Sequence, residues 1–469
     1  MIMVVAKIVL FLMCAVSTSS SMAFDKNKNI STREIRSIVE AAVNNSSKMM
    51  TPSGTILVGS NNVTIYTRSF GFEDIATKQH DSTNTQYLIG SVTKQFTAAA
   101  LLKALYDKAI TSGISENETE KLEAYIQADL HKPISSLDML PVNHPVWAGS
   151  MPAWANKVTP HHLLAHSSGL GEYYNLPVFK DFLVSPPDVI GLVNSFKDKQ
   201  LEFEPGAKYS YSSSGYILLG EIIEQMTGAN LDIYMDLVLF KPAKMNATFL
   251  ATTGILHKAN QLKTKLLAHG YSFDASATKI TITEVEYWPM QLAGAAGGII
   301  STAPDLHKWN NALYSGKIFP MFLVNLMIQP HMATDTENMA ATALKMSYTY
   351  GLGVGVIKPD TDCIYYTHGG RISGFESRLT YIPSQQLTIV GLSNLIEDWD
   401  KLTSEMENIR AELPSTFTEE EKWQHVEQTI RNKYPNIAEN KQRYDLMLIT
   451  MDVSKELMNR MCQDSEVRS

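Results

Sequence analysis

Strand signals sit near both ends of this chain, and the long stretch between them is helical. Thr55-Ile56-Leu57-Val58, a Gly59-Ser60-Asn61-Asn62 turn and Val63-Thr64-Ile65-Tyr66 predict a β-hairpin, because β-branched residues flank turn formers. Strand signals return in Ile364–Thr367, Ser377–Ile382 and Leu387–Leu392, with Pro383-Ser384-Gln385-Gln386 closing a second hairpin. Between them, residues 91 to about 109 are apolar on nearly every helical face (Phe96, Ala98 to Leu102, Ala104, Leu105), the pattern of a helix buried inside a protein. Ile217–Met226 and Leu231–Phe240 add shorter helical pieces. The expectation is a sheet built from the two ends of the chain, with a helical region inserted between the ends.

Other stretches say less. Ile35, Ile38, Val39 and Val43 form a helical stripe before the first strand, and Leu402, Met406, Ile409 and Leu413 form one after the last. Residues 111 to 157 are Pro-broken and carry Glu116, Glu118 and Glu120, so they read as a solvated insertion. Residues 414–469 contain further helical stretches without recognisable chemistry.

The first two dozen residues read as an export signal. Lys7 is followed by the apolar run Ile8–Val16, and Ser21-Met22-Ala23 fits cleavage after Ala23. The run is far shorter than the roughly 20 residues that span a bilayer, and an uncleaved anchor is the alternative. Export implies periplasm or medium, or a secretory lumen in a eukaryotic host. Cys14 leaves with such a signal, and Cys363 with Cys462 allow at most one bridge. The 40 Lys and Arg against 48 Asp and Glu give no basic excess for a phosphate backbone, so nucleic acid is a poor partner.

Chemistry concentrates in three groups. S-x-x-K occurs at Ser91-Val92-Thr93-Lys94 and at Ser276-Ala277-Thr278-Lys279. The second precedes Ile280-Thr281-Ile282-Thr283, where an extended backbone would turn the lysine away. The first opens the buried helix, so Lys94 returns one turn later to the face of Ser91. Burial and a helix N-terminus both disfavour charge on that lysine, and a neutral amine can take the serine proton. The second group is Tyr209-Ser210-Tyr211-Ser212-Ser213-Ser214-Gly215-Tyr216, in which a phenol beside a cation would favour phenolate and shuttle a proton. In the third, Tyr366-Thr367-His368-Gly369-Gly370-Arg371, a strand runs into glycines that allow close approach. His161, His162 and His166 make a histidine cluster, with His162 and His166 one helical turn apart; without a nearby carboxylate it reads as structural rather than metal-binding.

Together these groups resemble the serine β-lactamase-like superfamily, in its branch of class C β-lactamases, D-alanyl-D-alanine carboxypeptidases and esterases. Phe203-Glu204-Pro205-Gly206, Leu163 to Leu170 (LLAHSSGL), Gly297-Gly298-Ile299-Ile300-Ser301-Thr302 and Gly374-Phe375 through Leu392-Ser393-Asn394 match the family's landmarks in order. The resemblance implies an α/β domain, with an antiparallel sheet flanked by helices, beside an all-α domain, with the site between them. In residue terms, residues 24–395 would form the catalytic domain, its α/β part at about 30–110 and 298–413 and its helical insert at about 111–297. It implies Ser91 as acylated nucleophile, Lys94 as its base and Tyr211 as proton shuttle. His368-Gly369-Gly370 would stand in the place of K-T-G, and the N–H groups of Ser91 and Arg371 would form an oxyanion hole. No metal or cofactor is implied. Two departures stand out: Ser213 replaces the asparagine of Y-x-N, a shorter side chain to reach a substrate amide, and His368 is a weaker anchor for a carboxylate than lysine. The expected activity is therefore hydrolysis of an ester, a D-amino-acid peptide or a β-lactam-like amide through an acyl-enzyme. A non-hydrolysing penicillin- or peptide-binding protein on the same scaffold is the alternative.

Overall fold

A computed structural model describes residues 30–46, 53–251, 267–273, 281–334, 346–359, 364–397 and 408–414, short stretches between 416 and 429, and Val453, Ser454 and Leu457. The export signal expected at 1–23, the cysteines, and the second serine–lysine pair at Ser276 lie outside them.

The chain's two ends meet in one eight-stranded sheet. Its N-terminal part is the hairpin of β1 (Gly54–Ser60) and β2 (Val63–Phe70). Its C-terminal part comprises β3 (Met332–Ala333), β4 (Met346–Tyr350), β5 (Gly355–Pro359), β6 (Tyr365–Ile372), β7 (Phe375–Ile382) and β8 (Leu387–Ser393). The order is β3-β4-β5-β6-β7-β8-β1-β2, antiparallel throughout. Both expected hairpins are present, with Asn61 and Gln386 taking the positive φ their turns require. In β1, Gly54 faces Ser393 of β8, so the first strand completes its pairing only with the last.

Alternation along the strands gives the sheet two apolar faces. Ile56, Val58, Ile382, Leu387 and Ile389 face a smaller core closed by α1 (Thr32–Ser46) through Ile35, Ile38, Val39 and Val43. Val453 and Leu457 join that core, so part of the C-terminal extension covers the outer face of the sheet. Leu57, Phe375, Leu379, Val390 and Leu392 face the main core, which is continuous with the helical region.

At the centre of the main core lies α2 (Thr93–Thr111), buried over most of its length as its composition requires. It packs against α3 (Thr119–Leu130), α4 (Ser213–Thr227) and α5 (Met290–Gly297), while α6 (Ala303–Tyr314) packs on β1 and β8. Each fully buried large apolar side chain here contributes about 1.5–3 kcal/mol. The reading of 111–157 as a solvated insertion needs correction. Glu116 and Glu120 are exposed, but Leu122, Ile126, Leu130, Ile134, Leu140 and Trp147 lie in the main core. Glu116 and Glu118 precede α3 and Glu120 opens it, while Leu122, Ile126 and Leu130 form its apolar face. Among the described residues, no helix is long and apolar enough to cross a membrane.

Candidate active site

The short strand Tyr87–Leu88 pairs with Ile300–Ser301 and delivers the chain to Gly90, whose φ of +49° turns it sharply into a 3₁₀ turn, Gly90–Val92. Ser91 sits in that turn, half-buried, and α2 begins two residues later. The turn is pressed against β6. A Cβ on Gly370 would lie 2.0 Å from the Ile89 carbonyl oxygen and 2.8 Å from the Ser91 nitrogen, and one on Gly90 would lie 2.7 Å from the Arg371 nitrogen. Only glycine at both positions lets the backbone nitrogens of Ser91 and Arg371 share one small space. Ser377, opposite Gly370 in β7, pins the approach by donating to the Ile89 carbonyl at 2.7 Å.

Lys94 is fully buried. Its Nζ lies 3.1 Å from Ser91 Oγ, 3.3 Å from Ser213 Oγ and 2.8 Å from the Ala296 carbonyl oxygen. Three acceptors match the three protons of an ammonium; after one is lost, the lone pair can turn to the Ser91 hydroxyl. The backbone acceptor exists because α5 ends at Gly297, so the Ala295 and Ala296 carbonyls of its last turn have no helical donor and accept from Thr97 and Lys94. Burial holds the Lys94 amine well below the ordinary lysine range, opposed by the negative charge of Glu172.

Tyr211 lies across from this pair, with its ring centroid 4.8 Å from Lys94 Nζ. The expectation of a phenolate needs correction. Burial raises the Tyr211 phenol well above its ordinary value, and its hydrogen bond with Ser91 does not offset that. The group therefore stays protonated, because desolvation of the anion outweighs the Ser91 hydrogen bond and the Glu172 charge opposes ionisation as well.

Ser212, Ser213 and Ser214 each serve the start of α4. The Ser212 hydroxyl accepts from the Gly215 N–H at 3.3 Å as the helix cap. Ser213 gives its backbone N–H to Glu172 Oε1 at 2.7 Å and its hydroxyl oxygen to Lys94. Ser214 donates to the Gly171 carbonyl at 2.7 Å and accepts from the Tyr173 N–H at 3.0 Å. The Ser213 side chain thus helps to hold the lysine.

His368 is buried in β6, with Nδ1 2.7 Å from the Gly369 carbonyl oxygen and Nε2 2.8 Å from the Tyr350 hydroxyl. The carbonyl can only accept, so Nδ1 carries the proton and Nε2 accepts from Tyr350. Burial, reinforced by the Lys94 charge, holds the ring down to about 3, so it is neutral. As an uncharged histidine with both nitrogens engaged inside the protein, it offers a substrate carboxylate less than a lysine would. Gly369 and Arg371 are exposed at the rim.

The helix that starts at Pro160 stops at Leu164, and His166 takes a φ of +56°. His162 and His166 therefore do not share a helical face, contrary to their spacing. His162 closes a capping box with Thr159, whereas His166 is buried beside Tyr211, ring centroids 4.1 Å apart, and accepts the Ser212 N–H at 3.1 Å.

The sequence reading missed Glu172 and Tyr350. Glu172 lies in a loop with no local motif; its only signal was a carboxylate in the otherwise apolar and small-residue segment Leu163–Leu170 and its continuation. Tyr350 is one of four tyrosines, with Tyr348, Tyr365 and Tyr366, in these strands, and nothing local distinguishes it.

Residues 39–403 match the Beta-lactamase family model. Penicillin-binding protein 4* of Bacillus subtilis (strain 168) is 23% identical over 355 residues, covering 74% of this chain and 69% of that protein. Across the first curated relatives, the chain spans about two thirds of their length. Among solved structures, a penicillin-binding protein from Bacillus halodurans aligns with a TM-score of 0.57 at 21% identity, covering 80% of this chain and 98% of that one. A D-stereospecific amidohydrolase from Streptomyces sp. aligns with a TM-score of 0.57 at 22% identity, covering 76% and 94%. At these identities the structural likeness carries the fold.

Proposed function

The chain belongs to the Beta-lactamase family, and from that premise we propose that it is a serine acyl hydrolase acting on an ester, a D-amino-acid peptide or a β-lactam-like amide. The observation that carries the reading is the half-buried Ser91 hydroxyl 3.1 Å from a fully buried lysine amine. An alcohol is a poor nucleophile until a base takes its proton, and a lysine is a base near neutrality only when its cation is disfavoured. Burial does that here.

In this mechanism Ser91 Oγ attacks the substrate carbonyl while Lys94 Nζ takes its proton. The developing oxyanion is received by the N–H groups of Ser91 and Arg371, which the glycine contacts bring together. The Tyr211 phenol, kept protonated, gives its proton to the leaving group and is refilled from Lys94. Water then releases the acyl group by the reverse sequence. No metal or cofactor enters these steps. The substrate class rests on relatives whose names include a penicillin-binding protein and a D-stereospecific amidohydrolase. Export through residues 1–23 is part of the same proposal.

A rival reading, capture of penicillin or peptide without turnover, draws on one observation: Ser213 and His368 direct their polar atoms inward rather than to a ligand. A serine-reactive phosphonate separates the possibilities. It is expected to label the wild type and not Ser91→Ala, and equal labelling of both rejects the assignment. A panel of short-chain esters, D-Ala-D-Ala peptides and a chromogenic cephalosporin then reads turnover. Stoichiometric acylation without product release favours capture.

A further inference from the structure

We propose that Glu172 is a positioning residue for Lys94, holding the lysine's hydrogen-bond partner in place and governing the pH at which the amine becomes free to act as base. The inference rests on the acyl-hydrolase reading and extends it to a residue outside the three motif groups.

Glu172 Oε1 accepts the Ser213 N–H at 2.7 Å, and the Ser213 hydroxyl oxygen is one of three acceptors around Lys94 Nζ. A single residue therefore links carboxylate and amine. Its loop is fixed on both sides: Gly171 and Tyr173 are tied to Ser214, and the Tyr173 hydroxyl donates to the Leu292 carbonyl at 2.5 Å. Glu172 Oε2 is buried without a hydrogen bond of good geometry, although the Ser213 and Tyr174 hydroxyls interact with the carboxylate. A cap for α4 needs only the oxygen that meets Ser213. The second, buried oxygen is surplus to that purpose, and a buried carboxylate is costly without a partner charge.

The surroundings leave Lys94 as that partner. Tyr173, Tyr174, Tyr211 and Tyr216 face the pair as phenols held protonated by burial. His166, just past the helix that ends at Leu164, and His368, in β6, are held neutral by burial, and Arg378 acts on His368 from β7. Within this apolar and aromatic surround, the carboxylate stabilises the ammonium and the ammonium stabilises the carboxylate, each against its own desolvation. The two groups titrate as a pair. Removing the charge of one must shift the proton affinity of the other by the same amount.

Two substitutions separate charge from geometry. Glu172→Gln keeps an oxygen for the Ser213 N–H and removes the charge; Glu172→Asp keeps the charge and shortens the reach. The rate of Ser91 labelling by a phosphonate, followed against pH, is the first readout. The sign follows from the loss of an anion that favours ammonium: the acid limb of Glu172→Gln moves to lower pH by about one unit, while that of Glu172→Asp stays near the wild type with a lower plateau. A Glu172→Gln limb that does not move overturns the proposal and leaves Glu172 as a helix cap. The second readout needs no activity. Infrared titration of the buried carboxyl in wild type and Lys94→Ala is expected to show its ionisation moving to higher pH once the lysine charge is gone. An unmoved titration also overturns the proposal. Failure of wild-type Ser91 to label at any pH rejects the hydrolase reading instead, and the infrared comparison still decides the coupling.

Discussion

Two clusters of titratable side chains in this protein differ in what their polar atoms have left to give. Around Lys94, the turn before α2, the start of α4 and the end of α5 converge on an amine whose neighbours include one half-buried hydroxyl, Ser91. Around His161, the His131 ring stacks at a centroid distance of 4.7 Å, and the His162 and His331 rings meet it edge-on at 6.2 and 4.9 Å. Yet His161 Nε2 meets His331 Nδ1 at 3.0 Å, His331 Nε2 meets the Leu326 carbonyl at 2.8 Å, and His131 Nδ1 meets the Gln127 carbonyl at 2.8 Å. The histidines join helix ends to one another. Residue types that suggest chemistry thus acquire it only where a reactive atom remains open to a substrate.

Substitutions test that contrast, and the largest effect belongs to the amine. Lys94→Ala is expected to lower the Ser91 acylation rate by at least about 10³-fold, measured by phosphonate labelling; a rate near wild type would mean another base operates. Next comes Gly370→Ala, which drives a methyl group into the Ile89 carbonyl and separates the two N–H donors. A loss of about 10²-fold in acylation is expected, the scale of one oxyanion donor. Tyr350→Phe removes the donor to His368 Nε2 and should lower the rate by about tenfold or less, since the ring keeps its bond to Gly369.

The smallest effect on activity lies in the other cluster. Labelling of His161→Gln should stay within about twofold of wild type, because no reacting atom is touched. Its signature is in stability. Burial and the neighbouring His331, His131 and His162 hold His161 down to about 3, below the ordinary value of 6.5. Between those values the unfolded chain binds more protons, so stability is present above about pH 6.5 and declines as pH falls towards 3. Thermal unfolding at pH 7 and pH 5 is expected to show a drop of a few degrees in wild type and a shallower one in His161→Gln.

What the sequence revealed of this site follows the range of its interactions. Ser91 and Lys94 were legible because three positions along a helical start determine their proximity. The sheet was legible because β-branched alternation and turn residues are local, and its assembly from both ends follows from where those signals fall. Tyr211 needed the resemblance, since a tyrosine in a serine-rich segment has no local meaning of its own. Glu172 was out of reach: it meets Ser213 across 41 positions, through a loop whose path depends on Ser214 and Tyr173. The protonation of Tyr211 was misread for a related reason. Proximity to a cation can be inferred from motifs, whereas the depth of burial that reverses its effect belongs to the packed whole.

The pairing of β1 with β8 carries a consequence for biosynthesis. The Ser393 hydroxyl donates to the carbonyl of Ser53, 340 positions earlier, and β1 lies between β8 and β2. A nascent chain must therefore carry its opening hairpin without a strand partner until nearly the whole catalytic unit has been translated. During that interval the unpaired edge of β1 offers its amides and carbonyls to any extended neighbour. Closing so large a loop is slow, and truncation before residue 387 would leave the hairpin permanently open to aggregation.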